Sequence, residues 1–110
     1  MRYYLIDEIS KKDMEKINIF LTDHAVQSEM EGLFWVQIPE SLLGPVQTIH
    51  RECQPYQFAV ELGMDWLKAE FFIRSQGNLR CTCPAYCTHE QGEFILQYLD
   101  KMIQTLDIRT

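Results

Sequence analysis

The sequence predicts an α+β fold: a two-layer sandwich in which a five-stranded mixed sheet with an antiparallel meander carries helices mainly on one face. Three observations point there. Apolar residues switch between a period of two and a helical period, in the order β-α-β-α-β-β-β-α. Between residues 57 and 83, three short runs are separated by Gly-containing turns, the pattern of a meander. The last segment is amphipathic and carries a capping signature, as expected for a helix laid on a sheet. All 110 residues are assigned to one domain, since that length matches a single core.

Residues 3–9 (YYLIDEI) open the chain as a strand. Ser10 is then placed to cap a helix, with Asp13 three residues on as a variant of the capping box. Met14, Ile17, Leu21 and Ala25 recur at helical spacing, with Phe20 beside them, and this helix is expected to end before Gly32. Residues 33–38 (LFWVQI) read as a central strand, apolar on both faces and stopped by Pro39. A short helix is expected at Glu40–Leu43. Gly44 and Pro45 break it, and Pro45 suits the first position of a new turn. Val46, Ile49, His50 and Cys53 form the next helical stripe, which Pro55 ends.

The meander is assigned to strands 57–62, 66–74 and 79–83, with turns at Gly63-Met64-Asp65 and Gln76-Gly77-Asn78. In its middle strand Leu67, Ala69, Phe71 and Ile73 alternate with Trp66, Lys68, Glu70, Phe72 and Arg74, giving one core face and one wetter face. In the final helix Thr88 and Gln91 fit a capping box. Phe94, Ile95, Tyr98, Leu99, Met102, Ile103 and Leu106 cover about half the wheel, with Glu93, Gln97, Asp100 and Gln104 opposite.

Composition narrows the function classes. A chain of this length buries roughly 65% of its unfolded surface, so on size grounds it can fold without a metal or a disulfide. The formal net charge is −6 and the ten basic residues are scattered. Nucleic-acid affinity comes from clustered Lys and Arg releasing counterions, so no nucleic-acid partner is expected. Asp7 and Glu8 interrupt the N-terminal apolar run, and no run reaches membrane-spanning length, so no membrane partner is expected either. The cytoplasm is the expected compartment, where four cysteines read as thiols, metal ligands or redox groups before structural disulfides.

The chemistry-bearing segment is Cys81-Thr82-Cys83-Pro84-Ala85-Tyr86-Cys87-Thr88-His89. Its spacing, C-x-C-x3-C-x-H, offers Cys81, Cys83, Cys87 and His89 as a Zn²⁺ ligand set, since thiolate and imidazole suit a closed tetrahedral site. His50 and Cys53, three residues apart on a helix, are placed to add a second pair. In an extended strand C-x-C sets two Cα atoms about 6.5 Å apart, which favours zinc only if the chain bends at Pro84. A three-residue hairpin loop at 76–78 would instead face Ile73 with Cys81, Phe71 with Cys83 and Arg74 with Arg80. The sulfurs would then join Leu79 in the core, where free cysteine packs as a small hydrophobe.

Cys83-Pro84-Ala85-Tyr86-Cys87, just before a helix, resembles the Cys-Pro-Tyr-Cys active site of glutaredoxins with one extra residue between the cysteines. In that family the motif follows an early strand, whereas here it lies near the C-terminal end. The resemblance implies thiol–disulfide exchange through Cys83 and Cys87, and no further role is carried over. His24 reads as a helix-end histidine. Asp7 and Glu8 are neighbours in a strand and point to opposite faces. Phosphate-binding, nucleophile-elbow and His-Glu-x-x-His motifs do not occur. The wetter meander face, with Trp66 and Phe72 among charged residues, suggests a homodimer or protein-partner surface. The leading expectation is therefore a non-enzymatic binding or oligomerisation module, with zinc binding and redox chemistry as the alternatives.

Overall fold

The computed structural model describes residues 1–77 and 80–110. The elements run β1 (Tyr3–Ile6), α1 (Lys11–His24), β2 (Val26–Gln27), β3 (Leu33–Gln37), a 3₁₀ turn (Glu40–Leu42), α2 (Pro45–Ile49), a second 3₁₀ turn (Arg51–Cys53), β4 (Tyr56–Leu62), β5 (Leu67–Glu70), β6 (Phe72–Ser75), β7 (Ala85–Tyr86) and α3 (His89–Thr105). The expected α+β class is found, with seven strands where five were expected. Among the described residues every strand pairing is antiparallel, where a mixed sheet was expected.

The strand order is β1-β5-β4-β3-β2, with β6 beside β4 and β7 beside β6. One extra strand arises because the expected 66–74 strand divides at Phe71. Val60 pairs with Ala69 and Gln57 pairs with Arg74, so two residues of β4 lie opposite four between β5 and β6. The surplus is a bulge. It frees Phe71 N–H to donate to Arg2 O, and Phe71 O to accept from Cys87 N–H. An even surplus keeps the pleat in phase, so Leu67, Ala69 and Ile73 all remain fully buried. The other extra strand, β2, follows α1 directly and pairs with Phe34 and Trp35.

The third meander strand departs from expectation. Leu79 and Asn78 lie outside the described residues, and Arg80–Cys83 form a turn and loop instead of a strand. Ile73 faces Ala85 and Phe72 faces Tyr86, while Arg74 faces Gln57, so the expected Ile73–Cys81, Phe71–Cys83 and Arg74–Arg80 pairs do not form. Pro84 is part of the reason, since it has no N–H to give a ladder. The rest lies in residues 75–77, which bond to the chain entering β4 and so bring 80–83 across the end of the sheet. Gln76 N–H donates to Pro55 O and Gly77 N–H to Cys53 O.

Register places Tyr4, Ile6, Phe34, Val36, Tyr56, Phe58, Val60, Leu67, Ala69 and Ile73 on one sheet face. That face meets Met14, Ile17 and Leu21 of α1 and Ile95, Leu99 and Met102 of α3 in one core. Phe58 meets Phe94 and Tyr98 edge-to-face at 6.4 and 6.1 Å. The opposite face carries Tyr3, Leu5, Trp66, Lys68, Phe72, Arg74 and Tyr86, exposed or half-buried, with Trp35 half-buried and Gln57 and Ala59 buried at its centre.

Both caps read from the sequence form. Asp13 N–H donates to Ser10 Oγ at 3.1 Å. Gln91 N–H donates to Thr88 Oγ1 at 3.2 Å, and Thr88 N–H donates back to Gln91 Oε1 at 3.0 Å. Gln91 is also buried and reaches across to the 39–54 segment. Its amide donates to Leu42 O at 2.9 Å and to Gln47 Oε1 at 2.7 Å. Gln47 Oε1 accepts in turn from Gly44 N–H at 2.9 Å. These bonds turn Gln47 inward and leave Val46 and Ile49 of the expected stripe exposed. The helix then stops at His50, and the chain turns so that Cys53 is fully buried.

Candidate metal centre

Two separate segments converge at the end of the sheet. The first leaves α2 at His50, passes through the 3₁₀ turn to Cys53 and enters β4. The second is the loop carrying Cys81 and Cys83. One ligand atom from each of His50, Cys53, Cys81 and Cys83 lies within 4.8 Å of the other three. Tetrahedral zinc with Zn–S near 2.3 Å and Zn–N near 2.0 Å has ligand–ligand edges of about 3.5–3.8 Å. His50 Nδ1 lies 3.2 Å from Cys81 Sγ and 3.9 Å from Cys53 Sγ, which brackets those edges.

Hydrogen bonds fix the surroundings of the sulfurs. The Tyr56 hydroxyl, buried in β4, lies 3.1 Å from Cys83 Sγ and is placed to donate to it. The Cys53 carbonyl accepts from the buried Ser75 hydroxyl at 2.6 Å and from Gly77 N–H at 3.3 Å. Gly77 sits so close to this segment that a Cβ there would overlap the carbonyl oxygen of Glu52 and lie 2.7 Å from that of Gln54. The sequence therefore needs glycine at 77 for close approach of two backbones.

The acidities of these groups are unequal. Burial pushes the Cys53 thiol up to about 12, and the adjacent Cys81 and Cys83 sulfurs push the same way. Cys81 is drawn down to about 7, chiefly because the Cys83 N–H donates to its sulfur, with the Cys83 and Cys53 thiols and His50 assisting against burial. Tyr56 is raised by burial and by its bond to Cys83. The cluster thus holds one readily ionised sulfur beside a strongly reluctant one. A dication among them would reverse that reluctance, since a coordinated thiol loses its proton outright.

The structure divides the sequence-predicted ligand set. Cys81 and Cys83 join His50 and Cys53. Cys87 and His89 lie at the start of α3 and line a different pocket of about 500 Å³, together with Arg2, Phe71, Tyr86, Thr88, Gly92, Glu93 and Leu96. Burial raises the Cys87 thiol, partly offset by its own backbone N–H and by Arg2. The Cys83 and Cys87 sulfurs of the glutaredoxin-like motif therefore belong to two different places. Histidine 24 ends α1, with its ring stacked on Phe20 at 4.1 Å and Nδ1 2.9 Å from Phe20 O.

Comparison of the chain with protein-family profiles, curated proteins and solved structures finds no match.

Replacing Gly77 with alanine forces the two segments apart and is expected to destabilise the fold by about 1–3 kcal/mol, the usual cost of overpacking. Urea denaturation of the two proteins under reducing conditions measures this. An unchanged midpoint would mean that the contact with residues 52–54 does not constrain the cluster.

Proposed function

We propose that this protein is a zinc-binding domain whose structural metal centre is formed by His50, Cys53, Cys81 and Cys83. The observation that carries the reading is the convergence of four ligand atoms within 4.8 Å from segments about thirty residues apart in sequence. Three thiolates and one imidazole suit Zn²⁺ in a closed tetrahedral site, with no position left for a substrate. Soft sulfur ligands exclude magnesium and calcium as natural occupants. The Tyr56 hydroxyl at Cys83 and the Cys83 N–H at Cys81 supply the outer hydrogen bonds that orient thiolate ligands. The metal would clasp the 80–84 loop onto the 50–55 segment. The core itself is independently extensive, so the ion's contribution is local.

Cobalt titration separates this ligand set from the one read along the sequence. The reduced protein is expected to bind one Co²⁺ per chain, with tetrahedral d–d bands and a sulfur charge-transfer band that Zn²⁺ displaces. Cys53→Ser, Cys81→Ser, Cys83→Ser and His50→Ala should each weaken binding at least tenfold, whereas Cys87→Ser and His89→Ala should leave it unchanged. Retained binding in Cys53→Ser together with loss in Cys87→Ser would refute the assignment.

The open sheet face favours a second reading, compatible with the first: a homodimer seated around Trp66 and Phe72. Both rings lie beside cations, Lys68 Nζ 5.4 Å from the Trp66 ring and the Arg74 guanidinium 5.1 Å from the Phe72 ring. Lys68 and Arg74 are each also paired with a carboxylate, Glu61 and Glu70. Such a face is aromatic and nearly neutralised, which suits a second copy better than a charged polymer. Sedimentation across a hundredfold concentration range is expected to show a monomer–dimer equilibrium. A monomer throughout would contradict it.

A further inference from the structure

We infer that the centre is redox-gated: oxidation of Cys81 to a disulfide with a neighbouring cluster sulfur releases the zinc. This rests on the zinc reading above and adds a regulatory chemistry to it. The geometric basis is the asymmetry of the cluster. Cys53 is fully buried and Cys83 nearly so, while Cys81 is partly exposed on its loop. A small oxidant therefore reaches the Cys81 sulfur first. Once it has reacted, two further sulfurs stand within 4.8 Å to resolve it. A thiol with resolving partners at hand forms a reversible disulfide before it over-oxidises.

Hydrogen peroxide is the oxidant. The Cys81 thiolate attacks one peroxide oxygen and the O–O bond breaks. The departing hydroxide takes a proton and leaves as water, and Cys81 becomes a sulfenic acid. The Cys53 or Cys83 thiolate then attacks the Cys81 sulfur. The S–S bond forms, the S–O bond breaks, and the second hydroxide leaves as water after taking a second proton. Two thiolates lose two electrons, peroxide gains two, and zinc remains Zn²⁺. The ion keeps one thiolate and His50, too few ligands for a closed site. A Cys81–Cys83 disulfide frees the 80–84 loop from the 50–55 segment, which stays tied to Ser75 and Gly77, whereas a Cys81–Cys53 disulfide exchanges the metal clasp for a covalent one.

The test starts from reduced, zinc-loaded protein treated with increasing hydrogen peroxide. A chromogenic zinc chelator reads the released ion, and thiol titration reads the sulfurs. One zinc per chain should be released as the four reduced cysteines, counted after denaturation, fall to two. The peptide map should join Cys81 to Cys53 or Cys83, and a dithiol reductant with added Zn²⁺ should restore the starting state. The Cys87→Ser protein should release zinc on the same curve, its thiols falling from three to one. Zinc release without thiol loss, thiol loss without release, or a disulfide through Cys87 would each overturn the inference. If the reduced protein takes up no Zn²⁺ at all, the zinc reading itself fails. Uptake without peroxide-driven release overturns the redox gate alone.

Discussion

The Cys53 carbonyl accepts two hydrogen bonds, from the Ser75 hydroxyl at 2.6 Å and from Gly77 N–H at 3.3 Å, and both halves of the cluster take their positions from this contact. Residues 53–56 and 75–77 are joined without a break, since Tyr56 pairs with Ser75 and Pro55 O accepts from Gln76 N–H. The descending chain is thereby laid against the segment that carries His50 and Cys53. Unpaired buried backbone groups are costly, so this zip holds the ends of two sequence-distant segments together whatever the occupancy of the centre. A second tether acts from the other side. Gln91 fastens Leu42 and Gln47 to the first turn of α3 and so fixes the path of α2 into His50.

That scaffold concentrates groups that resist shared burial as separate ions. Three thiolates would repel one another in a site where Cys53 is fully buried, and the raised pKa of Cys53, due first to burial and then to the neighbouring sulfurs, expresses this cost. Two states relieve it. In one, protons stay on the sulfurs and the cluster packs as thiols around His50. In the other, the proposed one, a soft dication would replace the protons and meet all four ligands at once. The Cys83 N–H at Cys81 favours the second, since it stabilises that sulfur in its anionic form. Cys81 is the partly exposed member of the cluster, so the proposed metal retention and the proposed thiol oxidation draw on one geometry.

Elements governed by local signals were legible in the sequence. Ser10 with Asp13 and Thr88 with Gln91 mark the helix starts where they occur. Pro45 opens α2, and the alternation of Leu67, Ala69 and Ile73 marks the core face. What was hidden depends on partners far along the chain. The two-residue β2 is too short to show a period and exists because β3 offers it a partner. The bulge at 70–73 is accompanied by bonds from Phe71 to Arg2 and Cys87, partners that are not signalled locally. The same holds for the site. Cys81, Cys83, Cys87 and His89 are close in sequence, but β7 intervenes, and each extended residue carries the chain about 3.3 Å onward. His50 and Cys53 were visible as a spaced pair, while their meeting with Cys81 and Cys83 is set by the 53–56 to 75–77 pairing.

The central claim is that the fold assembles one imidazole and three sulfurs around a single ion. X-ray absorption at the zinc K-edge of the reduced, zinc-loaded protein tests it most directly. The account predicts a four-coordinate first shell of three sulfurs at about 2.3 Å and one nitrogen at about 2.0 Å, with the outer-shell scattering of an imidazole ring. A shell of oxygen and nitrogen with one sulfur or none, or four sulfurs without an imidazole, would contradict it.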